Sequence, residues 1–432
     1  MNQASIKADS QSALPVPYFG KEVVNRVSFL REDSDFVTNA VLHPSTRFIF
    51  YNNADPLVNA VAQNGKLVVL SNGSDQLATV PDTSGAGTTT GLLDTCGEWR
   101  KIVETWAEEN KSQSPGLRDN GKPSFLFLGL KDESVGLDFH KLKSYDQETY
   151  LDHQGRYLGI PYFGVDVTNS PATTALVYDH VLRHRTDGTT AEHLIFTDSR
   201  KYTMAFSMEE AGLFSHGKMY FDWLGRNRFC PGCGSKVIGI HAGGKLKCTN
   251  ETKVSVGTEE KYECPVRNTR VSNVSFPRTD AVVITAITNR ERTKVLLSLS
   301  KRHAHAKMYA CTAGFMEPSE TVEVATKREI WEETGVACSD IQILMTQPWP
   351  FPGNLMIGCV ATVDFNGINE VIHLGHDREL ADARWFDIPF VRKLMNNTLA
   401  AAENPESILL PPDVSIAYSL IKHVVDKSDT KL

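Results

Sequence analysis

The stretch from Gly314 to Val336 constrains this chain more than any other part of its sequence. It follows the spacing G-x5-E-x7-R-E-I-x-E-E-x-G-V, which places Glu329, Glu332 and Glu333 at positions i, i+3 and i+4. In a helix these positions share one face. Two such carboxylates at ~4 Å, with an effective dielectric of ~20, repel by about 4 kcal/mol. A hard divalent cation removes that cost, and oxygen-only ligands suit Mg²⁺ or Mn²⁺.

The residues on either side predict a loop, a helix and a second loop. Ser319 and Thr321 are both suitable N-caps, and both stay open as the start of the helix. Gly335 stands where a C′ glycine would end it. The alternative is a solvated acidic helix with an accidental match. Because the seven glycine and charged residues of this spacing coincide by chance at roughly one start in a billion, we favour a metal-binding helix.

Composition sets the broad class of the protein. With 432 residues, 41% hydrophobic and 22% charged, the chain predicts a soluble protein of two or three domains. Its net charge of −7 excludes a global basic field for nucleic acid but allows a local basic groove. No apolar run is long enough for a bilayer, and the N-terminus lacks a secretory h-region. We therefore expect no membrane partner and a reducing compartment, in which clustered cysteines more often bind metal than form disulfides.

Four of the eight cysteines predict a zinc site. Cys230 and Cys233 form a Cys-Pro-Gly-Cys knuckle, followed by Cys248 and then by Cys264. Four thiolates suit a closed, tetrahedral, structural zinc site, so we predict one zinc ion per chain. The gap before Cys264 is longer than in an ordinary ribbon, and Thr249–Glu263 is interpreted as an inserted loop. The alternative is a set of unrelated free thiols.

The sequence divides into four regions. Residues 1–20 are polar and predicted to be disordered, residues 21–225 predict a mixed α/β domain, residues 226–272 the zinc ribbon and residues 273–432 the catalytic domain. Apolar residues from Leu92 to Trp106 recur at helical spacing, Ser207–Arg228 predicts another helix, and Asp82–Gly91 predicts a loop. Short apolar runs predict strands. In the mixed domain they are Arg47–Tyr51, Lys66–Leu70, Phe125–Leu130, Ala175–Tyr178 and His193–Thr197, and in the catalytic domain Ala281–Thr288, Lys294–Ser300 and Met308–Gly314.

A proline-rich stretch follows the predicted helix. It reads Thr346-Gln-Pro-Trp-Pro-Phe-Pro-Gly-Asn354, and its alternating prolines predict a stiff, extended loop that cannot join a sheet interior. Trp349 and Phe351 project from this loop, and rigid aromatic rings suit stacking on a flat substrate ring. The alternative is a proline-rich turn packed against the core.

Three features occur in this order: the cysteine knuckle, the glutamate-rich stretch Gly314–Val336, which we call the box, and the Gln-Pro-Trp-Pro-Phe-Pro segment. Together they resemble the NADH pyrophosphatase branch of the Nudix hydrolases. The resemblance covers roughly Phe214 to the C-terminus, with a weaker N-terminal domain before it. It implies an α/β (α+β) fold, in which a Nudix α/β/α sandwich follows a zinc ribbon and a mixed α/β N-terminal domain. It also implies a homodimer that hydrolyses the pyrophosphate of NADH, and more weakly of NAD⁺, to nicotinamide mononucleotide and AMP.

The resemblance also implies roles for individual residues. Mg²⁺ or Mn²⁺ would be held by Glu329, Glu332, Glu333 and Glu379, near the backbone carbonyl of Ala313. Of the three box glutamates, all expected to be catalytic, Glu333 is the expected general base. Arg328 is expected to orient a box carboxylate rather than touch substrate. Phe276 is expected to act across the dimer. The substrate-binding residues implied are Phe276, Phe315, Gln347, Pro348, Trp349, Pro350, Phe351, Pro352, Gly353, Asn354 and Ala417.

Two other functions remain open. The first keeps the chemistry and removes an NAD cap from RNA 5′ ends, which the zinc ribbon and the stacking loop would allow and the acidic net charge disfavours. The second is a non-catalytic zinc-ribbon scaffold, which the intact box carboxylates disfavour.

The C-terminal tail bears on location. The chain ends Asp-Thr-Lys-Leu, one residue away from the peroxisomal address Ser-Lys-Leu. The same family includes peroxisomal members. We therefore expect either the peroxisome, reached through an import receptor, or the cytoplasm, in which case the tail is an arbitrary polar end.

Overall fold

A computed structural model describes most of the chain. The described residues are 16–61, 65–73, 97–112, 121–137, 150–184, 189–250, 264–266, 274–376 and 378–428. The predicted loop Asp82–Gly91, most of the predicted N-terminal disordered segment, and the tail Thr430–Leu432 lie outside them.

The chain forms two compact units. We call Lys21–Thr279 with Pro350–Gly353 the N-terminal unit, and Met1–Gly20 with Asp280–Trp349 and Asn354–Leu432 the C-terminal unit. The boundary between residues 225 and 226, expected before the zinc ribbon, stays a prediction.

Described helices and strands of the N-terminal unit are the following. The strands are β1 Arg47–Asn52, β2 Asp55–Asn59, β3 Lys66–Leu67, β4 Val69–Ser71, β5 Ser124–Lys131, β6 Leu151–His153, β7 Tyr157–Asp166, β8 Leu194–Phe196, β9 Val237–Ile240 and β10 Lys245–Cys248. The helices are α1 Ser34–Leu42, α2 Gly97–Lys111, α3 Pro171–His184, α4 Arg200–Thr203 and α5 Met208–Arg226.

The N-terminal unit is built around one mixed sheet. Its strand order is β3-β2-β1-β7-β5, with β4 on β1, β6 on β7 and β8 on β2. Strands β1 and β7 are parallel, whereas β5 runs antiparallel to β7. Phe48 and Phe50 of β1 are fully buried and contact Trp99 of α2 edge-on. Aromatic residues therefore join this helix to the sheet.

One predicted strand of this unit is wrong. Ala175–Tyr178 lies inside helix α3. Its buried residues are Thr173, Val177, His180 and Val181, which recur at steps of three or four, the spacing of a helix rather than the alternation of a strand. Of the four residues in this run, only Val177 therefore belongs to the buried stripe of the helix.

The antiparallel hairpin of β9 and β10 contacts the main sheet of the same unit. The backbone N–H of Phe127 donates to the Ala242 carbonyl at 3.0 Å, and the Ala242 N–H donates to Asn110 Oδ1 at 3.2 Å. Gly243 has a φ of 81°, and a Cβ there would lie 3.0 Å from the Phe125 carbonyl oxygen. This close approach fixes the hairpin that ends at Cys248.

The described C-terminal unit contains strands β11 Asp280–Asn289, β12 Lys294–Ser300, β13 Thr312–Phe315, β14 Asp340–Trp349, β15 Asn354–Val363 and β16 Leu380–Asp387. Its helices are α6 Val322–Thr334, α7 Ile388–Met395 and α8 Ile416–Lys427. No helix among the described residues of the chain is both long and apolar enough to cross a membrane.

The C-terminal unit is an α/β/α sandwich, as expected. The sheet order is β14-β15-β11-β12-β16, with β13 on β11. Alternate residues of β11 face opposite sides, as strand geometry requires. Ile284 belongs to the core shared with Leu420 of α8, whereas Ile287 belongs to the core shared with Ile330 of α6. Helix α6, which carries the box, is therefore held against one face of the sheet.

The proline-rich stretch differs from its prediction. Strand β14 runs through Pro348 to Trp349, which pairs with Asn354 of β15, so only Pro350–Gly353 connect the two strands. Strand β14 ends the strand order of this sheet, and an edge strand tolerates a residue without a backbone N–H. The predicted stiff loop Thr346–Asn354 is therefore strand at both of its ends, whereas the expectation that it stays out of a sheet interior agrees with the edge position of β14.

Residues 16–20 are the described part of the segment that was predicted to be disordered. Tyr18 and Phe19 are 8% and 2% exposed, and the ring centroid of Phe19 lies 5.7 Å from that of Trp349 in an edge-on contact. These two aromatic residues bury apolar surface within the C-terminal unit, and the disorder expected for residues 1–20 stays a prediction.

Candidate active site

Helix α6 begins after the capping residue Thr321 and ends at Gly335. Of the two candidate N-caps, Thr321 is the one observed, because its hydroxyl accepts a hydrogen bond from the Val324 N–H at 3.3 Å. Gly335 ends the helix with a φ of 73°, and its N–H donates to the Trp331 carbonyl at 2.8 Å. A left-handed residue at this position favours glycine.

Arg328 is the centre of an ion-pair network on this helix. Its Nε and Nη2 donate to the two carboxylate oxygens of Glu320 at 2.7 and 2.8 Å. Its Nη1 donates to Glu329 Oε1 at 2.7 Å and to Glu332 Oε2 at 3.0 Å. Nη2 also reaches the backbone carbonyl of Phe315 at 2.9 Å. The expectation that Arg328 orients box carboxylates agrees with this geometry, and the two-oxygen contact with Glu320 fixes the plane of the guanidinium.

Glu320 is the member of this network to which the sequence analysis assigned no role. Hydrogen bonds from Arg328 lower the pKa of Glu320 to about 2, so its carboxylate stays charged at neutral pH. The signal was present, because Glu320 is the first glutamate of the box spacing. The spacing alone does not show that the fold brings Glu320 into contact with Arg328, eight positions later in the chain.

Glu329 lies directly over the end of strand β13. A Cβ added to Gly314 would be far closer than 3.0 Å to the carboxyl group of Glu329, a separation that real Cβ atoms do not show. Only glycine leaves room for the carboxylate at this backbone position. Burial raises the pKa of Glu329, and hydrogen bonding to Arg328 opposes that rise.

The charges of the network suit a divalent cation. Arg328 contributes one positive charge, whereas Glu320, Glu329 and Glu332 contribute three negative charges. The balance among these four side chains is two negative charges. All of their free acceptors are carboxylate oxygens, which are ligands that Mg²⁺ and Mn²⁺ prefer. The residues present therefore fit the predicted metal by donor type and charge.

The other predicted metal ligands are placed as follows. Glu333 is 6% exposed on α6, Glu379 is exposed immediately before β16, and Ala313 lies in β13 opposite Ile284. Among the described residues, the four cysteines are the one group of three or more potential ligands whose atoms lie within 4.8 Å of one another. The structure therefore joins Glu329 and Glu332 through Arg328 and does not bring all the predicted carboxylates to ligand distance.

The four predicted zinc ligands do come together. The sulfur atoms of Cys230 and Cys264 are 3.6 Å apart, and those of Cys233 and Cys248 are 3.4 Å apart. All four lie within 4.8 Å of one another, which fits four thiolates around one ion. Hydrogen bonds from Ser235 lower the pKa of the Cys233 thiol to about 6. Because Cys264 is included, the long spacing does not displace the fourth ligand.

Two of the predicted substrate aromatics are open to solvent. Phe276 is 64% exposed in the N-terminal unit, and Phe315 is 57% exposed at the end of β13. Exposed phenylalanines are costly in water, and a flat ring stacked on them would remove that apolar surface. Their exposure therefore suits a stacking role.

The other two predicted stacking residues already have aromatic neighbours. Trp349 contacts Phe19 within the C-terminal unit. Within the N-terminal unit, Phe351 lies 6.1 Å from Phe214 between ring centroids, and the Arg200 guanidinium lies 5.3 Å from the Phe351 centroid. Phe351 thus corresponds better to the alternative of a turn packed against the protein than to a free stacking platform.

Gln347 has a structural role that the sequence did not reveal. Its Nε2 donates to the Val414 carbonyl at 2.9 Å, and its Oε1 accepts from the Ile416 N–H at 2.8 Å. The side chain is 1% exposed and serves the start of helix α8. Both ends of the amide are therefore bonded to backbone groups.

The remaining predicted substrate residues occupy several environments. Ala417 is buried in the first turn of α8, and its carbonyl accepts from the Cys311 thiol at 3.6 Å. Pro350 and Gly353 are buried, Pro348 and Asn354 are half-buried, and Pro352 is exposed.

Comparison with known proteins gives the family. The Nudix domain matches residues 277–404. The NAD-capped RNA hydrolase NPY1 of Saccharomyces cerevisiae is 37% identical over 417 residues, which are 95% of this chain and 96% of that protein.

Two human proteins are more distant. The NAD-capped RNA hydrolase NUDT12 of Homo sapiens is 28% identical over 94% of this chain and 72% of its own length. The mitochondrial NAD(P)H pyrophosphatase NUDT13 of the same organism is 28% identical over 54% of this chain and 60% of its own length.

Proposed function

Because the chain belongs to the Nudix hydrolases, in their NADH pyrophosphatase branch, we propose that it hydrolyses the pyrophosphate of the NAD cap at the 5′ end of RNA. The observation that carries this proposal is the similarity to a protein named NAD-capped RNA hydrolase along nearly the whole of both chains. It reverses the order of the two substrates that the sequence favoured. That the protein is an enzyme of this class rather than a scaffold follows from its family membership.

Free NADH is the second candidate substrate. It has the same pyrophosphate, and the relative named NAD(P)H pyrophosphatase supports it over about half of this chain. The nicotinamide and adenine rings are also common to both substrates. Apart from the oxidation state of the nicotinamide ring, which is reduced in NADH, what distinguishes them is the RNA that follows the adenosine, so the choice depends on contacts beyond the cap.

The residues on helix α6 would prepare the site for a charged pyrophosphate. Arg328 holds Glu320, Glu329 and Glu332 in fixed positions. A Mg²⁺ or Mn²⁺ ion held by Glu329, Glu333 and Glu379 would stabilise the negative charge that develops on the phosphates. Glu333, buried on the same helix, is our candidate for the base that takes a proton from the attacking water. Exposed Phe315 is available for stacking on a substrate ring.

Three further properties belong to the proposal. One structural zinc ion would be held by the four cysteines. The enzyme would be a homodimer in which Phe276 of each protomer serves its partner's site, an arrangement that its 64% exposure permits. The tail Thr430-Lys431-Leu432 would be read by the peroxisomal import receptor.

The proposal is tested by comparing kcat/KM across substrates with Mg²⁺ or Mn²⁺ present. The panel contains NAD-capped RNA, NADH, NAD⁺, ADP-ribose and diadenosine polyphosphates. We expect capped RNA to be cleaved with a kcat/KM at least equal to that of NADH. Cleavage of NADH without measurable cleavage of capped RNA would support the second candidate instead.

A further inference from the structure

A basic segment follows strand β12 in the C-terminal unit. It reads Lys301-Arg-His-Ala-His-Ala-Lys307, of which Lys301–Ala306 form a 3-10 helix. The side chains of Lys301, Arg302 and Lys307 are exposed, as is the neighbouring Arg378. We call Lys301–Lys307 with Arg378 the basic segment. The basic segment contains four lysine and arginine residues in a chain whose net charge is −7.

The basic segment is anchored beside a predicted metal ligand. The backbone N–H of Lys301 donates to the Glu379 carbonyl at 3.1 Å, and the Lys301 ammonium donates to the Arg378 carbonyl. At its other end the Lys307 carbonyl accepts from the Leu409 N–H at 3.0 Å. The chain then continues into β13, which ends at Phe315. Backbone hydrogen bonds therefore hold both ends of the basic segment, which lies between the Glu379 backbone and the strand that leads into the box.

The charges of the basic segment are not used in ion pairs within the described part of the chain. Three other bases of the C-terminal unit have such partners, Lys294 with Asp387, Lys393 with Glu403 and Lys422 with Asp426, whereas exposed Lys327 and Lys427 have none among the described residues. No carboxylate lies within 4.0 Å of Lys301, Arg302, Lys307 or Arg378 among the described residues. These four bases are thus available to an external anion.

Glu406 is an acidic residue that interacts electrostatically with Lys307 but is already hydrogen-bonded to another residue. Glu406 accepts a hydrogen bond from Arg384 at 2.8 Å. That bond is the main cause of the lowered pKa of Glu406, and the positive charge of Lys307 adds to it. Glu406 therefore weakens the positive field at Lys307 without forming an ion pair with it.

We infer that the basic segment binds the phosphates of the RNA chain that follows the NAD cap. This inference rests on the proposed function. When the cap pyrophosphate is bound at the box, the phosphates of the following nucleotides must leave the site along the protein surface. The first residue of the basic segment, Lys301, is hydrogen-bonded to the backbone of Glu379, a predicted metal ligand. A single strand carries one negative charge per nucleotide, and lysine and arginine bind it by releasing counterions. NADH has no such phosphates, so the segment would favour capped RNA over free dinucleotide.

The test is a binding measurement, which does not require turnover. Fluorescence anisotropy gives Kd for a short, 3′-labelled, NAD-capped single-stranded RNA without added Mg²⁺ or Mn²⁺, as a function of salt. The variant is Arg302→Gln/Lys307→Gln, because both side chains are exposed and neither is ion-paired with a carboxylate of the described residues. The matched control is Lys393→Gln/Lys422→Gln, which removes the same charge from exposed positions of the same unit.

We expect Kd of the Arg302→Gln/Lys307→Gln variant to rise about fivefold or more at low salt relative to the control variant. The slope of log Kd against log salt should fall by about 1.4, at ~0.7 for each lost single-strand phosphate contact. Its kcat/KM on capped RNA should also fall several times further than its kcat/KM on NADH.

Equal Kd and equal salt slope in the two variants would overturn the inference, as would the absence of RNA binding by the wild type at low salt. Failure of the proposed function is a different result. In that case the wild type binds capped RNA and does not cleave it, while the comparison of the two variants still decides whether the segment is the phosphate site.

Discussion

The carboxyl group of Glu329 occupies the space in which a Cβ of residue 314 would stand, so Gly314 and Glu329 fit each other only because residue 314 has no side chain. We predict that Gly314→Ala displaces Glu329 and lowers kcat at least tenfold, the lower part of the range for a lost catalytic contact. The carboxylate is a flexible end, so the fold should persist, and circular dichroism should show an unchanged spectrum.

Gly225→Ala is the matched control for this substitution. Gly225 lies in α5 with nothing within 4 Å of an added Cβ, and alanine in a helix is favoured over glycine by about 0.5–1 kcal/mol. Its kcat should equal that of the wild type. Wild-type kcat in Gly314→Ala would mean that the position of Glu329 does not matter for turnover.

The zinc cluster leads to a second prediction. Cys264→Ser should release the zinc and lower Tm by several degrees, because three ligands no longer close the site and the sulfur contact with Cys230 is lost. Metal analysis after dialysis against Mg²⁺ buffer measures the zinc per chain, and calorimetry measures Tm. Cys338→Ser is the control, since Cys338 lies in the C-terminal unit outside the cluster. Full zinc content in Cys264→Ser would show that another group supplies the fourth ligand.

Trp349 supplies a third prediction, which concerns substrate choice. Stacking of one base on an aromatic ring is worth about 1–3 kcal/mol, so Trp349→Ala should lower kcat/KM for NADH roughly tenfold or more. The loss for ADP-ribose, which lacks nicotinamide, should be clearly smaller if Trp349 contacts the nicotinamide end. Phe19→Ala removes the ring that contacts Trp349 and should give a weaker loss with the same preference.

Equal losses on the two substrates would assign Trp349 to the adenine end. No loss on either would give Trp349 the same structural role that its contacts give to Phe351.

The tail gives a fourth prediction. A fluorescent fusion that keeps the native C-terminus should be at least partly peroxisomal, and deletion of Thr430-Lys431-Leu432 should make it cytosolic. Fluorescence microscopy with a peroxisomal marker checks this. A diffuse signal from both fusions would contradict a role of the tail in import.

Local sequence patterns predicted several helices and strands of the C-terminal unit. Lys294–Ser300 is a strand with the predicted bounds, and Glu329, Glu332 and Glu333 are on one helix. These features depend on residues close in sequence. Ala175–Tyr178 was misassigned because four apolar-rich residues are too few to separate a strand from the buried stripe of a helix.

The features that sequence reasoning missed depend on contacts between distant residues. The amide of Gln347 serves the start of a helix almost seventy residues later, Phe19 contacts Trp349, and Lys301 bonds to the backbone of Glu379. No local spacing encodes such contacts. The same limit applies to Glu320, whose role became visible only beside Arg328.

The most direct test of the central claim is the identity of the products from NAD-capped RNA. Wild-type protein with Mg²⁺ or Mn²⁺ should release nicotinamide mononucleotide and leave RNA with a 5′-monophosphate, as measured by chromatography with mass spectrometry. Glu333→Gln, with its fold intact, should give the same products at least ~100-fold more slowly. Release of nicotinamide alone, or near-wild-type turnover by Glu333→Gln at saturating metal, would contradict pyrophosphate cleavage by the box glutamates.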